Sequence, residues 1–464
     1  MMEQPTPSPN KMGIVPIPRL LLSMGAPMML SMLVQALYNV VDSLFVSYIP
    51  DTALIANAGD KAVNALTLAF PVQMFIMALC VGTGVGVNAA LSRSLGRKDC
   101  QQASRIAGNA MFLSVCYYLA VLLFALLGAE AYLRSQTSDP VIAAFGISYL
   151  RIVTLGSFGT IGYMCFEKLL QATGQTTAAM LGQLTGSLTN LVLDPIFIFG
   201  YCGLPAMGTA GAAIATVIGQ CASLAVAALL HFRQNKELTN SPAMLRPSAV
   251  VIRQIYTVGG PAIVMQALTS FMTYGMNLIL GSISSTAVTA YGIYYKLQNF
   301  IFMPAFGLNN ASVPIISYNY GAQEKDRIRE AIRCGLITVS VIMGCGILLL
   351  QCFARQIVGC FSLSGEAVEL CVTALRIITC GFFFAGANII LQGVCQALGS
   401  GLSSLLISFL RMILVVLPLA WALSRLPGAA SLVWLAFPIA EGAACCAAVW
   451  LSVRIFRRRM SGLS

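Results

Sequence analysis

The sequence predicts an all-α integral membrane protein with twelve transmembrane helices, arranged as two six-helix bundles related by a pseudo-two-fold axis along the membrane normal. Three observations predict this fold. First, the 464 residues are 58% hydrophobic and 9% charged, whereas soluble domains carry about 25% charged residues. Second, the apolar residues fall in runs that match the hydrocarbon thickness of a bilayer. Third, the second half of the chain repeats the first.

Twelve apolar runs are separated by glycine, proline or charged residues. Each is long enough to cross a bilayer as a helix of about 20 residues. The runs cover residues 20–48, 63–92, 107–129, 140–165, 177–201, 209–231, 255–283, 287–316, 334–353, 368–394, 403–424 and 431–453.

The internal repeat appears when the two halves are aligned at an offset of 225 residues. Gln73 then meets Gln298, and Gly96 meets Gly321. The segment LRIVTLGSF, which begins at residue 150, overlies LRIITCGFF, which begins at residue 375. Each half has an even number of spans, so both halves enter the membrane from the same side. This parallel repeat is an arrangement found in many transporters.

The repeat defines the domain organisation. We expect a cytoplasmic N-terminal tail, a first lobe with six helices, a polar linker, a second lobe with six helices and a basic tail. The corresponding ranges are 1–19, 20–231, 232–254, 255–453 and 454–464.

Positive charge is unevenly distributed among the loops. Basic residues follow the second, sixth and eighth apolar runs and the last one, while the alternate loops hold few. Because Lys and Arg are enriched in cytoplasmic loops, both termini should be cytoplasmic, in a plasma membrane of bacterial type. The net charge of +11 is explained in this way and not by a nucleic-acid partner. The cysteines lie mostly singly within apolar runs and form no CxxC pair, so we expect no metal and no cofactor.

Acidic residues within the apolar runs mark the first lobe as a candidate site. On the first helix Gln35, Asn39 and Asp42 recur at a spacing that places them on one face. On the fifth helix Asn190 lies one turn before Asp194. A buried acid is costly in a bilayer unless it faces a polar cavity, so two converging faces would form a pocket that binds a proton or a sodium ion. The alternative is that these acids only cap or pair within the bundle.

Several segments resemble the multidrug and toxic compound extrusion (MATE) family. The segments are PVQMFIMALCVGTGVGVNAALSRSLG at 71–96, LQATG at 170–174, NLVLDPIFIFG at 190–200 and GTAGAAIAT at 208–216. The resemblance covers nearly the whole chain. It implies a V-shaped pair of lobes around a central cavity, alternating access, and a proton or sodium gradient as the driving force.

The resemblance also implies specific site residues. In the DinF-type branch, the positions of Tyr38, Asp42, Asn190, Asp194 and Thr216 form the ion-coupling site, to which Asn39 is added here from its spacing. The NorM-type branch uses acids in the second lobe, but here the seventh helix has none and the tenth has only Glu369 near its outer end. Glu441, near the middle of the twelfth helix, is either a second proton site or a structural partner.

The expected function is export of hydrophobic organic cations by antiport, with membrane lipid as the other partner and the protein as a monomer. A flippase for lipid-linked precursors and a non-transporting sensor or scaffold are the alternatives. No nucleophile-and-base arrangement and no nucleotide motif is present, so we do not expect an enzyme. Polar, methionine and tyrosine side chains are the candidate substrate contacts, namely Gln35, Gln73, Met265, Gln266, Asn277, Tyr291 and Met303.

Overall fold

The computed structural model describes residues 10–50, 57–359, 361 and 365–461, and the regular structure of these residues is helical. The predicted N-terminal tail and basic tail therefore lie partly outside the described residues. In the first half the helices are α1 (Lys11–Ile14), α2 (Ile17–Ser47), α3 (Ala58–Gly96), α4 (Cys100–Leu127), α5 (Ala129–Gln136), α6 (Pro140–Leu155), α7 (Ser157–Ala172), α8 (Thr176–Phe199) and α9 (Gly208–Gln234).

The second half follows a linker that contains a 3₁₀ turn, Pro242–Leu245. A π-helical segment, Leu410–Val416, joins α15 to α16, and a 3₁₀ turn, Val433–Leu435, joins α17 to α18. The helices are α10 (Ala249–Gly281), α11 (Ser285–Gly321), α12 (Lys325–Gly359), α13 (Gly365–Thr379), α14 (Phe382–Ala397), α15 (Gly401–Phe409), α16 (Leu417–Leu423), α17 (Ala429–Leu432) and α18 (Ala436–Met460).

Twelve spans cross the membrane, as predicted. Among the described residues, nine helical segments are long and apolar enough to span a bilayer, and two bent pairs, α6 with α7 and α13 with α14, bring the number to eleven. The twelfth is α8, whose 24 residues extend about 36 Å at 1.5 Å per residue. Its apolar character is reduced by the polar residues that line the candidate site.

Helix boundaries reproduce the 225-residue repeat. Helix α7 spans Ser157–Ala172 and α14 spans Phe382–Ala397, which are the same positions in the two halves. Gly174 and Gly399, also equivalent, both adopt a positive φ, of 84° and 77°. The two halves therefore form two six-helix bundles. Both bundles have the same orientation in the membrane, because an even number of spans returns the chain to the side on which each half began.

The bends between the paired helices occur where neighbouring helices approach closely. A Cβ on Gly156 would lie 2.4 Å from a methyl group of Val217, and one on the equivalent Gly381 would lie 2.8 Å from the Cα of Pro438. The bend angles are 45° in the first lobe and 49° in the second. Only glycine fits at either bend without moving the adjacent helix.

The two lobes contact each other near the membrane face at which the N- and C-termini of the chain lie. A Cβ on Gly86 of α3 would lie 2.2 Å from the carbonyl oxygen of Ile255 in α10, and one on Gly321 of α11 would lie 2.1 Å from that of Arg93 in α3. The backbones therefore nearly touch. The bundles are closed together at the membrane face that carries both chain ends.

One helix, α5 (Ala129–Gln136), is absent from the predicted runs. The predicted third span extends to residue 129, whereas α4 ends at Leu127 and the short α5 follows. Its Glu130 pairs with Arg134 in the next turn and with Arg151 of α6, at 3.0 and 2.8 Å. With three charged residues engaged at its surface, this helix does not cross the membrane.

Candidate functional site: a buried pair of acids in the first lobe

The centre of the first lobe brings α2, α8 and α9 together around two carboxyl groups. Asp194 is 1% exposed and Asn190 is 2% exposed. The Asn190 amide, Nδ2, donates to Asp194 Oδ1 at 3.1 Å and to Thr216 Oγ1 of α9 at 3.4 Å. From α2, the carboxyl group of Asp42 lies beside that of Asp194, close enough for the two groups to interact. Tyr38, one turn before Asp42, lies beside Thr216.

Close packing of two helices positions the Asn190 side chain. A Cβ on Gly219 would lie 2.8 Å from the carbonyl oxygen of Gly186 and 3.0 Å from the Cβ of Asn190. Gly186 in turn lies against Ser223 of α9. Because Gly219 is one turn from Thr216 on the same helix, this contact between α8 and α9 sets the distance across which Asn190 reaches Thr216.

Three oxygen atoms in this pocket lack a hydrogen-bond donor among the described residues. They are Asp42 Oδ1, Asn190 Oδ1 and Asp194 Oδ2, and each is fully buried. A buried acceptor without a donor costs about 1–3 kcal/mol, and two ionised carboxylates in contact repel each other in addition. A bound cation removes both costs. The pocket is thus chemically suited to a proton shared between the acids or to a small, oxygen-coordinated cation.

Two further residues belong to the same pocket, Gln73 of α3 and Tyr149 of α6. Gln73 Nε2 donates to the Tyr149 hydroxyl at 3.1 Å, and Tyr149 lies near both Asp42 and Asp194. Gln73 is predicted from the sequence as a substrate contact, and Tyr149 is not among the predicted site residues. The only sequence signal for Tyr149 is its position just before the repeated LRIVTLGSF segment.

The predicted polar face of α2 is only partly directed into the pocket. Asn39 is exposed, and Gln35 is partly exposed. The hydrogen bonds that link Asn190, Asp194 and Thr216 do not include either of them. Asn39 instead contributes its backbone carbonyl, which accepts from Ser43 at 3.0 Å.

The predicted substrate contacts of the second lobe are dispersed. Met265 accepts a hydrogen bond at Sδ from Ser404 at 3.3 Å, and Tyr291 is 2% exposed and stacks on Phe437. Met303 is half-buried, whereas Gln266 and Asn277 are exposed. The structure does not bring these five residues together in one described pocket.

Glu441 of α18 lies in the interior of the second lobe beside a basic residue that sequence reasoning missed. Its Oε1 is 3.3 Å from Arg411 Nη1, and the two side chains are 18% and 16% exposed. Asn388 of α14 donates to Glu441 Oε2 at 2.8 Å. Arg411 lies in the π-helical segment, so the distortion of the helix coincides with the basic partner of this acid. The second lobe therefore contains an ion pair in its interior, whereas the first lobe brings two acids together.

The arrangement defines a class of protein: a membrane transporter built from two parallel six-helix repeats, with titratable groups buried within a lobe. The MatE family model matches residues 27–196 and 261–422, one segment in each lobe. This chain therefore belongs to the MatE family, the multidrug and toxic compound extrusion transporters.

Individual relatives agree with this assignment. The multidrug export protein MepA of Staphylococcus aureus (strain MRSA252) is 26% identical over 447 residues, which cover 96% of this chain and 95% of the relative. The MepA protein of Staphylococcus saprophyticus is 25% identical over 437 residues, covering 94% and 93%.

Solved structures share the fold. A multidrug resistance MATE family transporter in an outward-facing conformation gives a TM-score of 0.89 at 23% identity, with 99% of both chains covered. A transporter of the same superfamily from Pyrococcus furiosus, described as having a binding pocket of reversed polarity, gives 0.88 at 23% identity, with 98% and 99% covered.

Proposed function

We propose that this transporter exports hydrophobic organic cations in exchange for protons, and that Asp42 and Asp194 form the coupling site. The observation that carries the proposal is that the two carboxyl groups lie beside each other and that one oxygen of each, Asp42 Oδ1 and Asp194 Oδ2, is buried without a hydrogen-bond donor among the described residues. Two carboxyl groups can hydrogen-bond to each other only when a proton lies between them. Transmembrane acids arranged in this way are typical of proton relays.

Proton binding would alter the packing of α2. When the acid pair holds a proton, the charge that favours a nearby cation is reduced and the α2 backbone can approach α8 more closely. Helix α2 contains Pro27, which removes one backbone hydrogen bond and provides a point of flexure. Release of the proton restores the charge and favours the arrangement that admits a substrate cation.

The substrate class is supported by the relatives and by the surfaces of the lobes. The two Staphylococcus relatives are named multidrug export proteins, and an acid-containing transporter with many exposed aromatic side chains suits hydrophobic cations. Among the predicted contacts, Gln35, Gln266 and Asn277 retain accessible surface. A flippase for lipid-linked pyrophosphates would need a cationic pocket where this chain has its two acids.

Localisation and assembly complete the proposal. The chain would function as a monomer in a bacterial-type cytoplasmic membrane with both termini in the cytoplasm. Arginine-rich loops at the face that carries the chain ends support this orientation. The face at which the lobes are closed together would then be the cytoplasmic one.

Proteoliposomes test the coupling directly. A fluorescent hydrophobic cation is loaded, and an inward proton gradient or an inward sodium gradient is imposed separately. We expect the proton gradient alone to accelerate export in the wild type. Asp42→Asn and Asp194→Asn should each lower the gradient-driven rate at least tenfold, because one neutral amide prevents the shared proton from binding.

Asp60→Asn is the matched control, since Asp60 is an exposed acid outside the pocket and its neutralisation should leave the rate unchanged. If only the sodium gradient accelerates export, and both pocket variants lose this acceleration, the coupling ion at this site is sodium and not the proton. Wild-type rates in both pocket variants at matched protein amounts would refute the proposed coupling site.

A further inference from the structure

The arginine-rich end of α18 lies between two adjoining cavities of opposite character. One is an apolar groove of about 950 Å³ on the outer surface of α14 and α18, and the other is a polar cavity of about 410 Å³ between the end of α18 and the start of α15. Arg454 and Arg458 line both. The apolar groove therefore adjoins a positively charged cavity, and the two share Arg454 and Arg458.

The groove has the length of one membrane leaflet. It follows α18 from Gly442 to Val453 and includes Trp450, which is 60% exposed. Eleven residues of helix rise about 17 Å, and half of a bilayer hydrocarbon core is about 15 Å thick. Gly442 leaves open space in the groove, because nothing lies within 4 Å of where its Cβ would be. An acyl chain of a phospholipid fits this groove from the bilayer midplane to the surface.

The positively charged cavity lacks negative partners. Within the described part of the chain, no carboxylate forms an ion pair with Arg454, Arg457, Arg458 or Arg459. Arg454 lies over the Trp450 ring at 5.3 Å, which holds its guanidinium at the junction of the two cavities. Four cations on one helix turn and a half repel one another unless an anion lies among them.

The opposite wall of this cavity adds polar groups of the second lobe. Ser400 and Ser403 line it beside Arg459, and they belong to the start of α15, whose first backbone N–H groups have no partner within the helix. A phosphate group is the anion that arginine and free backbone N–H groups recognise best. Basic pockets between transmembrane helices near the membrane surface bind anionic lipid head groups.

We propose that this surface is a binding site for an anionic phospholipid, with one acyl chain in the α14–α18 groove and the phosphate among Arg454, Arg458 and the start of α15. The site lies outside the lobe that contains Asp42 and Asp194, so it is separate from the coupling site. It joins α18 to α15 at the face where the lobes are closed.

Quenching of tryptophan fluorescence by brominated lipids tests the site in the full-length protein. The protein is placed in nanodiscs of phosphatidylglycerol and phosphatidylcholine in which one lipid at a time carries bromine on its acyl chains. We expect brominated phosphatidylglycerol to quench Trp450 more strongly than its mole fraction predicts. The excess should disappear in Trp450→Phe.

Two variants separate the charged and apolar parts of the site. Arg454→Gln and Arg458→Gln should each weaken the preference for phosphatidylglycerol about fivefold, the effect of one arginine near an anionic lipid. Gly442→Leu places a side chain in the groove at a position where an added Cβ has no neighbour within 4 Å, and it should reduce quenching of Trp450 by both lipids. Arg425→Gln is the matched control, because Arg425 lies over the Trp421 ring at the same 5.3 Å at the other end of the second lobe.

Equal quenching of Trp450 by the two brominated lipids would overturn the proposal, as would an unchanged preference in the Arg454→Gln, Arg458→Gln double variant. A crosslink between Trp450→Cys side chains of two molecules in the nanodisc would also overturn it, because a second copy would then cover the groove. Loss of the lipid preference in Arg425→Gln to the same degree would show a general effect of surface charge and reject a specific site.

Discussion

Arg411 and Glu441 form an ion pair inside the second lobe, with Nη1 3.3 Å from Oε1. Asn388 donates a hydrogen bond to the second carboxylate oxygen of Glu441, so this acid has both a cation and a hydrogen-bond donor as partners. Among the residues that the structure describes, none forms an ion pair with Asp42 or Asp194 of the first lobe. This difference favours a structural role for Glu441 over the proton-carrying one.

Glu441→Gln should therefore lower stability and leave the coupling intact. Removing one partner of a buried ion pair leaves an uncompensated charge and costs about 3–5 kcal/mol, and Arg411 remains in the interior. We expect the midpoint of thermal unfolding to fall in Glu441→Gln and in Arg411→Gln, and to fall by less than the sum of the two in the double variant. Loss of proton-driven export at normal stability would instead make Glu441 a second coupling acid.

The contact between Gly219 and Gly186 provides a second test of the first-lobe site. A leucine at Gly219 has no space beside the Gly186 carbonyl and the Asn190 Cβ, so α9 must move away from α8. Gly219→Leu should separate Asn190 from Thr216, slow gradient-driven export at least tenfold and cost about 1–3 kcal/mol of stability by overpacking. Gly260→Leu is the control, because nothing lies within 4 Å of its Cβ position. An export rate in Gly219→Leu equal to that of the control would contradict the assigned role of this packing contact.

The segment before α2 bridges the two lobes at the face where they are closed. On the second lobe, Arg327 Nη2 donates to the carbonyl oxygens of Met12 and Val15 at 3.0 and 2.8 Å. On the other side, the Asn10 amide donates to the Glu237 carboxylate of the linker, 3.0 Å from each oxygen. Opening of the lobes at this face must break one of these two connections.

Arg327→Gln should favour the opened arrangement. Hydrogen bonds that involve a charged group contribute about 1.5–3 kcal/mol, so loss of about 2 kcal/mol would raise the opened-to-closed ratio roughly thirtyfold. Spin labels at Lys236→Cys and Glu324→Cys, both exposed, measure the distance between the lobes. Arg329→Gln, which removes an exposed pair with Asp326 and a contact with the Phe456 ring, both within the second lobe, should leave the distance distribution unchanged. The same distribution in both variants would show that the bridge does not hold the lobes together.

Glu237 makes the same bridge sensitive to pH. Burial raises the pKa of the Glu237 carboxyl above its ordinary 4.5, while the Asn10 amide opposes part of this shift. Because the pKa of Glu237 is raised when the segment before α2 is bound to the linker, the protonated carboxyl stabilises this bound arrangement. The contribution is complete below pH 4.5 and is lost as the pH rises through the raised pKa. Burial also lowers the pKa of the neighbouring Lys11, but from 10.5, far above this window.

Hydrogen exchange of the amides at 11–15 should therefore become faster as the pH increases just above 4.5, after correction for intrinsic exchange. Glu237→Gln should abolish that step, since its amide does not titrate. A step that persists unchanged in Glu237→Gln would assign it to another group.

The orientation of the chain can be tested by cysteine labelling from outside the cell. Asn235 is unsuitable as a probe because it is 3% exposed and hydrogen-bonds to Thr173 and His231. The neighbouring Lys236 is exposed, as is Asp60 on the opposite face. In a background without native cysteines, Asp60→Cys should react with an impermeant maleimide in intact cells and Lys236→Cys should react only after lysis. The reversed pattern would place the termini outside.

Much of this architecture was already specified along the chain. Hydrophobic runs of bilayer length define the spans, and the 225-residue repeat defines two bundles with one orientation, because both properties depend on residue order alone. Asp42 and Asp194 could be identified in the same way, since an acid in an apolar run is costly wherever the helix is located. Asn190 followed from helical periodicity, and Tyr38 and Thr216 from the resemblance to the family.

The rotation and approach of the helices, in contrast, depended on contacts between distant parts of the chain. Asn39 has helical spacing from Asp42 but is exposed, whereas Tyr149 and Gln73, from helices with no acid nearby in sequence, contact the pocket. Arg411 lies 30 residues from Glu441 and reaches it only because a π-helical segment packs on α18. The close contact of Gly186 with α9 brings Asn190 to Thr216. Such approaches are set by the packing of glycine backbones and large side chains between helices, and no spacing within one helix encodes them.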